Sequence, residues 1–385
     1  MEVKQVYTLL NTITTEVLGT ANLVNEDLSN VVDVGKQLLT NTDVDNYVRS
    51  LVNRIGKTIF VDRKYKGIAP NLLMDSWEFG SVLQKISCVM PNAVENFSSE
   101  LTNGQDYSPN VFYKPTVSSK FYNSKVTFEV NMSFTDRQVK ESFDSADQLN
   151  AFYSMLYTSI ENSITIKLDS LIMRSISNMI GETLHADYGS DSLSGASHIK
   201  AVNLLKLYND LHDTTLTLDD CLQTEGFLQF ATYTINNYAD RLKVMSSLFN
   251  VGATAKFTPD DQRVTILLSD FANSCNVFLK SEKLNDSYLS LPKGAFTVPF
   301  WQGSGVDYAL ARISSINVKT ASGDTITTSG IMGVMFDRNA VCMCNSDKRV
   351  TTNYNPRGEF YTNFYKYDCS YINDLSENFV VFFVA

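Results

Sequence analysis

Gly56, Lys57 and Thr58 match the end of a phosphate-binding loop, where backbone amides cradle phosphate oxygens and a lysine neutralises them. That loop needs a glycine five positions before Gly56, and Leu51 stands there, so nucleotide chemistry is not expected. Asn41, Asp43 and Asp45 could open a calcium loop, but Asn46 occupies the glycine position and Val52 replaces the bidentate glutamate. These acids fit the positive end of a helix dipole better. His185, His198 and His212 are never four apart, so they do not present paired imidazoles to zinc. Cys342 and Cys344 would share one face of a strand, without the CxxC pairs of a metal set, which predicts a buried face. Ser192 and Ser194 lie near Gly189 and Gly195 but lack the glycine-serine-glycine elbow and the strand that leads into it. No catalytic residue, metal or cofactor is expected.

The work of this chain must then lie in its architecture. Its 385 residues are enough for two or three packed units, and a hydrophobic content of 44% predicts a folded chain. Acidic residues outnumber basic ones by ten, which argues against an electrostatic grip on nucleic acid as the main activity. Glu2 and Lys4 interrupt the start, so no secretory signal is expected. The longest apolar run, Phe379 to Ala385, is too short to cross about 30 Å of hydrocarbon as a helix, so a soluble protein is expected. Six scattered cysteines suit reduced, buried thiols in a cytoplasmic setting.

Val3, Val6, Leu10, Ile13 and Val17 step by three and four, which predicts an amphipathic N-terminal helix lying on its own domain or on a neighbouring subunit. Asp43 to Ile55 predicts a short helix leading into a strand at Ile59 to Val61. From Pro91 to Pro115, glycine and proline break any helical period, which predicts a loop or an extended hairpin arm. Val126, Phe128, Val130 and Met132 then alternate with polar residues, the period of a strand with one buried face. Ser145 and Gln148 have capping-box spacing, and an apolar stripe from Leu149 to Ile180 predicts one long helix with Gly181 as its stop. His185 to Ser197 reads as a linker. Beyond it, helices are expected over Ile199 to Leu211 and Leu222 to Phe249. Strands are expected at Val264 to Leu268, Asn276 to Leu279, Ile331 to Phe336, Ala340 to Cys344, Phe360 to Tyr367 and Phe379 to Val384. Helices and strands in blocks predict an α+β fold. Phe121, Tyr122, Tyr361, Phe364, Tyr365 and Tyr367 sit among polar residues, and tyrosine suits subunit interfaces because it covers area while its hydroxyl stays bonded.

This order of parts resembles the major capsid protein of tailed phages with the Hong Kong 97 fold, and looks most similar to the head proteins of picovirus-type podophages. The residues that carry the resemblance are Tyr47 with Ser50, Leu51, Val52, Arg54, Ile55 and Gly56; Asn355, Pro356, Arg357 and Gly358 with Asn363 and Tyr365; and Asn378, Val380, Phe382 and Val384. Val264 to Asp270 followed by Phe278 to Leu284 is similar to the apical strand and loop of such proteins.

The resemblance implies an N-terminal arm over 1–45, the start of a peripheral domain over 46–90 and an extended hairpin arm over 91–133. It implies the peripheral domain over 134–198 with a spine helix at 147–180, an apical domain over 199–348, and return strands of the peripheral domain over 349–385. Val3, Val6, Leu10, Ile13, Val17, Phe112, Phe121, Tyr122, Phe128 and Arg357 become candidates for contact between subunits. The implied product is an icosahedral head of hexamers and pentamers, built with a scaffolding protein and a portal around double-stranded DNA that is held without sequence-specific contacts. The subunit would pass from host cytoplasm to virion and meet no membrane. A cellular, encapsulin-like shell around protein cargo and an α+β enzyme of another class are the alternatives.

Overall fold

The apolar stripe that begins near Leu149 forms one continuous helix, Ala146–Tyr188, in the computed structural model. It runs eight residues past the expected end at Ile180 and is about 65 Å long at 1.5 Å per residue. Gly181 is not its stop. An ideal Cβ at that position would lie 3.2 Å from Cβ and Cγ1 of Val318, so the glycine serves close packing and not a turn. The left-handed residue is Gly189, at φ +56°, whose N–H donates to the carbonyl of His185 at 2.8 Å. Nothing lies within 4 Å of a Cβ there, so Gly189→Ala is expected to cost about 1 kcal/mol from backbone strain alone. A urea melt checks this, and an unchanged midpoint would show that the helix can end without a left-handed residue.

The structure describes residues 7–8, 10–12, 15, 24–25, 29–30, 32–34, 72–74, 83–88, 98, 100–107, 110, 112–135, 137–138, 146–189, 191–281, 291–292, 294–302 and 309–385. The described strands are β1 (Leu73–Met74), β2 (Leu83–Cys88), β3 (Val117–Tyr122), β4 (Lys125–Thr135), β5 (Ala201–Asn203), β6 (Arg263–Leu268), β7 (Phe296–Val298), β8 (Ile316–Lys319), β9 (Thr325–Thr328), β10 (Ile331–Asp337), β11 (Val341–Asn355), β12 (Phe360–Asn373) and β13 (Phe379–Phe383). The helices described from end to end are α1 (Ala146–Tyr188), α2 (Leu204–His212), α3 (Leu218–Cys221), α4 (Glu225–Arg241), α5 (Ser269–Ser281) and α6 (Leu310–Ile313). The predicted helix at 43–55 and strand at 59–61 lie outside the described residues. The fold is α+β, as expected, with two separate main sheets.

The chain divides into two units. The first comprises Met1–Glu78, Lys125–Ile176 and Cys342–Tyr371. Its sheet has the order β1-β11-β12-β4, with β4 antiparallel to β12 from Phe360↔Thr135 to Ser370↔Lys125. Along β12 every second residue is buried, giving an inner row of Tyr361, Asn363, Tyr365, Tyr367 and Cys369. The row extends over Phe134 of β4, whose ring lies 6.0 Å from Tyr361 and 6.1 Å from Phe152 of α1. Leu156, Ile160, Ile164, Leu168 and Ile172 continue the buried stripe of α1 at steps of four. Asn355 turns the chain from β11 to β12 by accepting hydrogen bonds from the N–H groups of Arg357 and Gly358.

The second unit comprises Phe79–Ser124, Ser177–Val341 and Ile372–Ala385. Its sheet has the order β5-β13-β10-β6-β7. Every residue of β10 and β13 is buried, and Ile331 to Phe336 and Phe379 to Phe383 read as unbroken apolar runs without alternation. Phe336 stacks on Phe379 at 5.2 Å, and Tyr238 of α4 meets Phe382 edge-on at 5.4 Å.

Three expectations are corrected. The segment Asn276 to Leu279 is helical within α5, because Phe271, Ala272 and Cys275 bury one face at helical spacing and a four-residue apolar run cannot by itself tell helix from strand. The hairpin arm expected over 91–133 instead pairs β2 with β3, while β4 belongs to the first unit's sheet. The return strands expected over 349–385 part company. Most of β12 lies in the first unit, whereas β13 is an inner strand of the second unit's sheet, and that unit's long middle segment begins at Ser177, upstream of the expected 199.

Candidate assembly surface

Strands β2 and β3 form a two-stranded antiparallel ribbon in register from Leu83↔Tyr122 to Cys88↔Val117. Because side chains alternate, one face carries Lys85, Ser87, Ser118, Lys120 and Tyr122, and the other carries Gln84, Ile86, Cys88, Val117, Ser119 and Phe121. The charged face turns towards its own unit. Lys85 Nζ reaches Asp374 Oδ2 at 2.6 Å and Glu377 Oε1 at 2.7 Å, and Lys120 Nζ reaches Asp374 Oδ1 at 3.0 Å. Lys256 Nζ adds a third cation, 3.1 Å from Glu377 Oε1. The apolar face is left to solvent: Ile86 is 65% exposed and Phe121 63%. A hairpin that lay on its own core would present the opposite faces. Beyond the ribbon the connection continues the pattern, with Leu101 and Tyr107 exposed and Phe112 and Tyr113 each 84% exposed.

The acids beneath the ribbon sit on the turn between β12 and β13. Asp374 Oδ1 also accepts from the N–H of Ser376 at 3.0 Å and from its hydroxyl at 2.7 Å. Burial would raise the Asp374 carboxyl, but the hydrogen bonds from Lys85 and Ser376 outweigh it and hold the group well below the usual carboxylate range. For Lys85, burial pulls the pKa down, and the bonds to Asp374 and Glu377 more than offset it, so the ammonium is raised. Asp337, nearby at the end of β10, moves the other way because its own burial dominates.

The sequence candidates fall as follows. Phe112, Phe121 and Arg357 are exposed, the last on the turn between β11 and β12, and Tyr122 is half-buried at the ribbon's root. Phe128 is not on the ribbon: it lies on β4 opposite Tyr367, half-buried in the first unit. Leu10 is 1% exposed, so it is covered by its own chain and not left for a neighbour. The side chain of its neighbour Asn11 accepts from the N–H of Val24 at 3.0 Å and donates to its carbonyl at 3.3 Å. Val3, Val6, Ile13 and Val17 lie outside the described residues, as do Asn41, Asp43, Asp45 and Gly56 to Thr58. Cys342 and Cys344 are buried on β11, and burial pushes the thiols of Cys221 and Cys275 up to about 12. Among the described residues no three His, Cys, Asp or Glu side chains gather as metal ligands, and no helix is long and apolar enough to cross a membrane. Lys85, Lys256, Asp374 and Glu377 were not picked out by sequence reasoning, since only the fold brings positions 289 apart into contact.

The model of the Phi29-like phage major capsid protein family matches residues 10–383. The chain belongs to this family. It is a phage major capsid protein with the Hong Kong 97-like fold, and as such it builds the virion's shell by association with its own copies. Its fold is similar to a chain in the capsid structure of Staphylococcus phage Andhra, at 11% identity and a TM-score of 0.51, over 83% of this chain and 84% of that one. A chain in the capsid structure of Cyanophage P-SCSP1u aligns at 12% identity and a TM-score of 0.46, over 84% and 89%. No curated protein matches by sequence. The role of this capsid protein is structural, and among the described residues the ribbon leaves Ile86, Val117 and Phe121 open to solvent.

Proposed function

We propose that this capsid protein closes an icosahedral head by overlap, each copy laying its hairpin, residues 83–122, across the adjacent subunit. The observation that carries the reading is the reversed polarity of the ribbon, whose lysines face inward and whose Ile86, Val117 and Phe121 face out. Apolar area left in water this way gains about 25 cal/mol per Å² when covered, before entropy costs, and a symmetric shell repeats that gain at every copy. Hexamers and pentamers are the natural units of such a shell, with a scaffolding protein and a portal taking part in assembly in the host cytoplasm. Packaged double-stranded DNA is the content, and a net charge of −10 suits a wall that does not hold it tightly. Arg357, exposed on the turn between β11 and β12, is a second contact point.

The test is the double variant Phe112→Ser/Tyr113→Ser. Both rings are 84% exposed in the subunit, so its melting temperature is expected to stay within about 2 °C of the parent, because exposed substitutions cost little. Closed shells counted by electron microscopy are expected to fall by about tenfold or more, since aromatic anchors dominate such contacts. Shells at the parental yield, or imaged particles in which the hairpin touches only its own subunit, would overturn the overlap.

A further inference from the structure

Two-stranded ribbons are marginal by themselves in water, and this one carries a built-in fault: Lys85 and Lys120 are directly opposed in the register. Like charges opposite one another push strands apart. Here each lysine takes one oxygen of Asp374, which stands between them as a shared counter-ion, and Glu377 takes Lys85 and Lys256 together. Both carboxylates are nearly sealed from water, at 1% and 6% side-chain exposure. Their turn is itself braced, since the N–H of Asp374 donates to the carbonyl of Ala340 and that of Gly252 to the carbonyl of Leu375, each at 2.8 Å.

We propose that Lys85, Lys120, Asp374 and Glu377 form a clamp that sets the direction in which the hairpin leaves its own subunit before any neighbour is met. The arm is thereby presented ready-made, and the cost of ordering it falls on folding and not on assembly. The proposal rests on the overlap reading for its purpose but not for its geometry. All four residues lie in the second unit, and none needs a second copy to make its contacts.

The experiment follows amide hydrogen exchange in the unassembled full-length chain. Lys120→Glu places a carboxylate beside Asp374 at a side chain that is 44% exposed, so the core should fold. Asp374→Asn with Glu377→Gln removes the anions while keeping groups that accept from Ser376. In both, the amides of β2 and β3 are expected to exchange about tenfold faster or more, while those of β10 and β13 keep their protection. Lys120→Arg should stay within about twofold of the parent, because it restores the charge. Unchanged exchange at β2 and β3 in both variants would overturn the clamp, and so would an equal loss at β10 and β13. Phe112→Ser/Tyr113→Ser should leave the isolated chain's exchange at the parental rate, so a failure of the overlap and a failure of the clamp give different results.

Discussion

Leu156→Asp is expected to leave no folded subunit. Leu156 is 2% exposed in α1, one turn before Ile160 at 0% and three before Leu168 at 4%. Truncating a buried leucine costs about 2–5 kcal/mol before any charge is considered. An unpaired carboxylate in that stripe adds several kcal/mol more, and taking up a proton only exchanges the charge for an unsatisfied polar group. The sum reaches the total stability of an ordinary domain, about 5–15 kcal/mol. Far-ultraviolet circular dichroism and the soluble fraction measure the outcome. The control is Ser159→Asp on the exposed side of the same helix, where the change should stay within about 0.5 kcal/mol. A Leu156→Asp protein that is soluble and melts like the control would mean that this stripe does not carry the fold.

Gly330→Ala is the second large effect, and it acts through the backbone. Gly330 precedes β10 at φ +85°, and an ideal Cβ there would fall 2.0 Å from the carbonyl oxygen of Val384. That distance is impossible for real atoms, so the end of the chain must move. Val384 would also lose the hydrogen bond that its N–H donates to the carbonyl of Gly330 at 2.9 Å. Left-handed strain of about 1–2 kcal/mol, a lost bond of about 1 kcal/mol and the displaced chain together predict a loss of several kcal/mol. Gly323→Ala separates the causes: its φ is +100°, but nothing lies within 4 Å of the added carbon, so only strain remains. Equal losses for the two variants in denaturant melts would show that the contact with Val384 does not matter.

Much of the fold was legible because it depends on local period. The long helix, the alternating strand at β4 and the buried runs at β6, β10 and β13 follow from residues within one or two turns or a few strand positions of each other. The errors arose where a local signal had two readings. Gly181 reads as a stop unless Val318 is known to press on it, and Val126 to Met132 reads as part of an arm unless β12 is known to pair with it. Leu10 has the spacing of an interface stripe and also of a covered one, and it is itself buried by its own chain.

What the amino-acid order determined by itself is the class of the protein: an α+β chain in the order of parts of a phage capsid subunit. What only the tertiary structure decided is which surface is left over. Alternation along β2 and β3 predicts a lysine face and a face with Ile86, Val117 and Phe121, and by itself would turn the second one inward. The choice is made by two carboxylates nearly 300 residues away, on a turn that comes under the ribbon only when β12 and β13 are in place. Ion pairs act through space and carry no trace of their partners along the chain, which is why the arm's polarity appears only after folding.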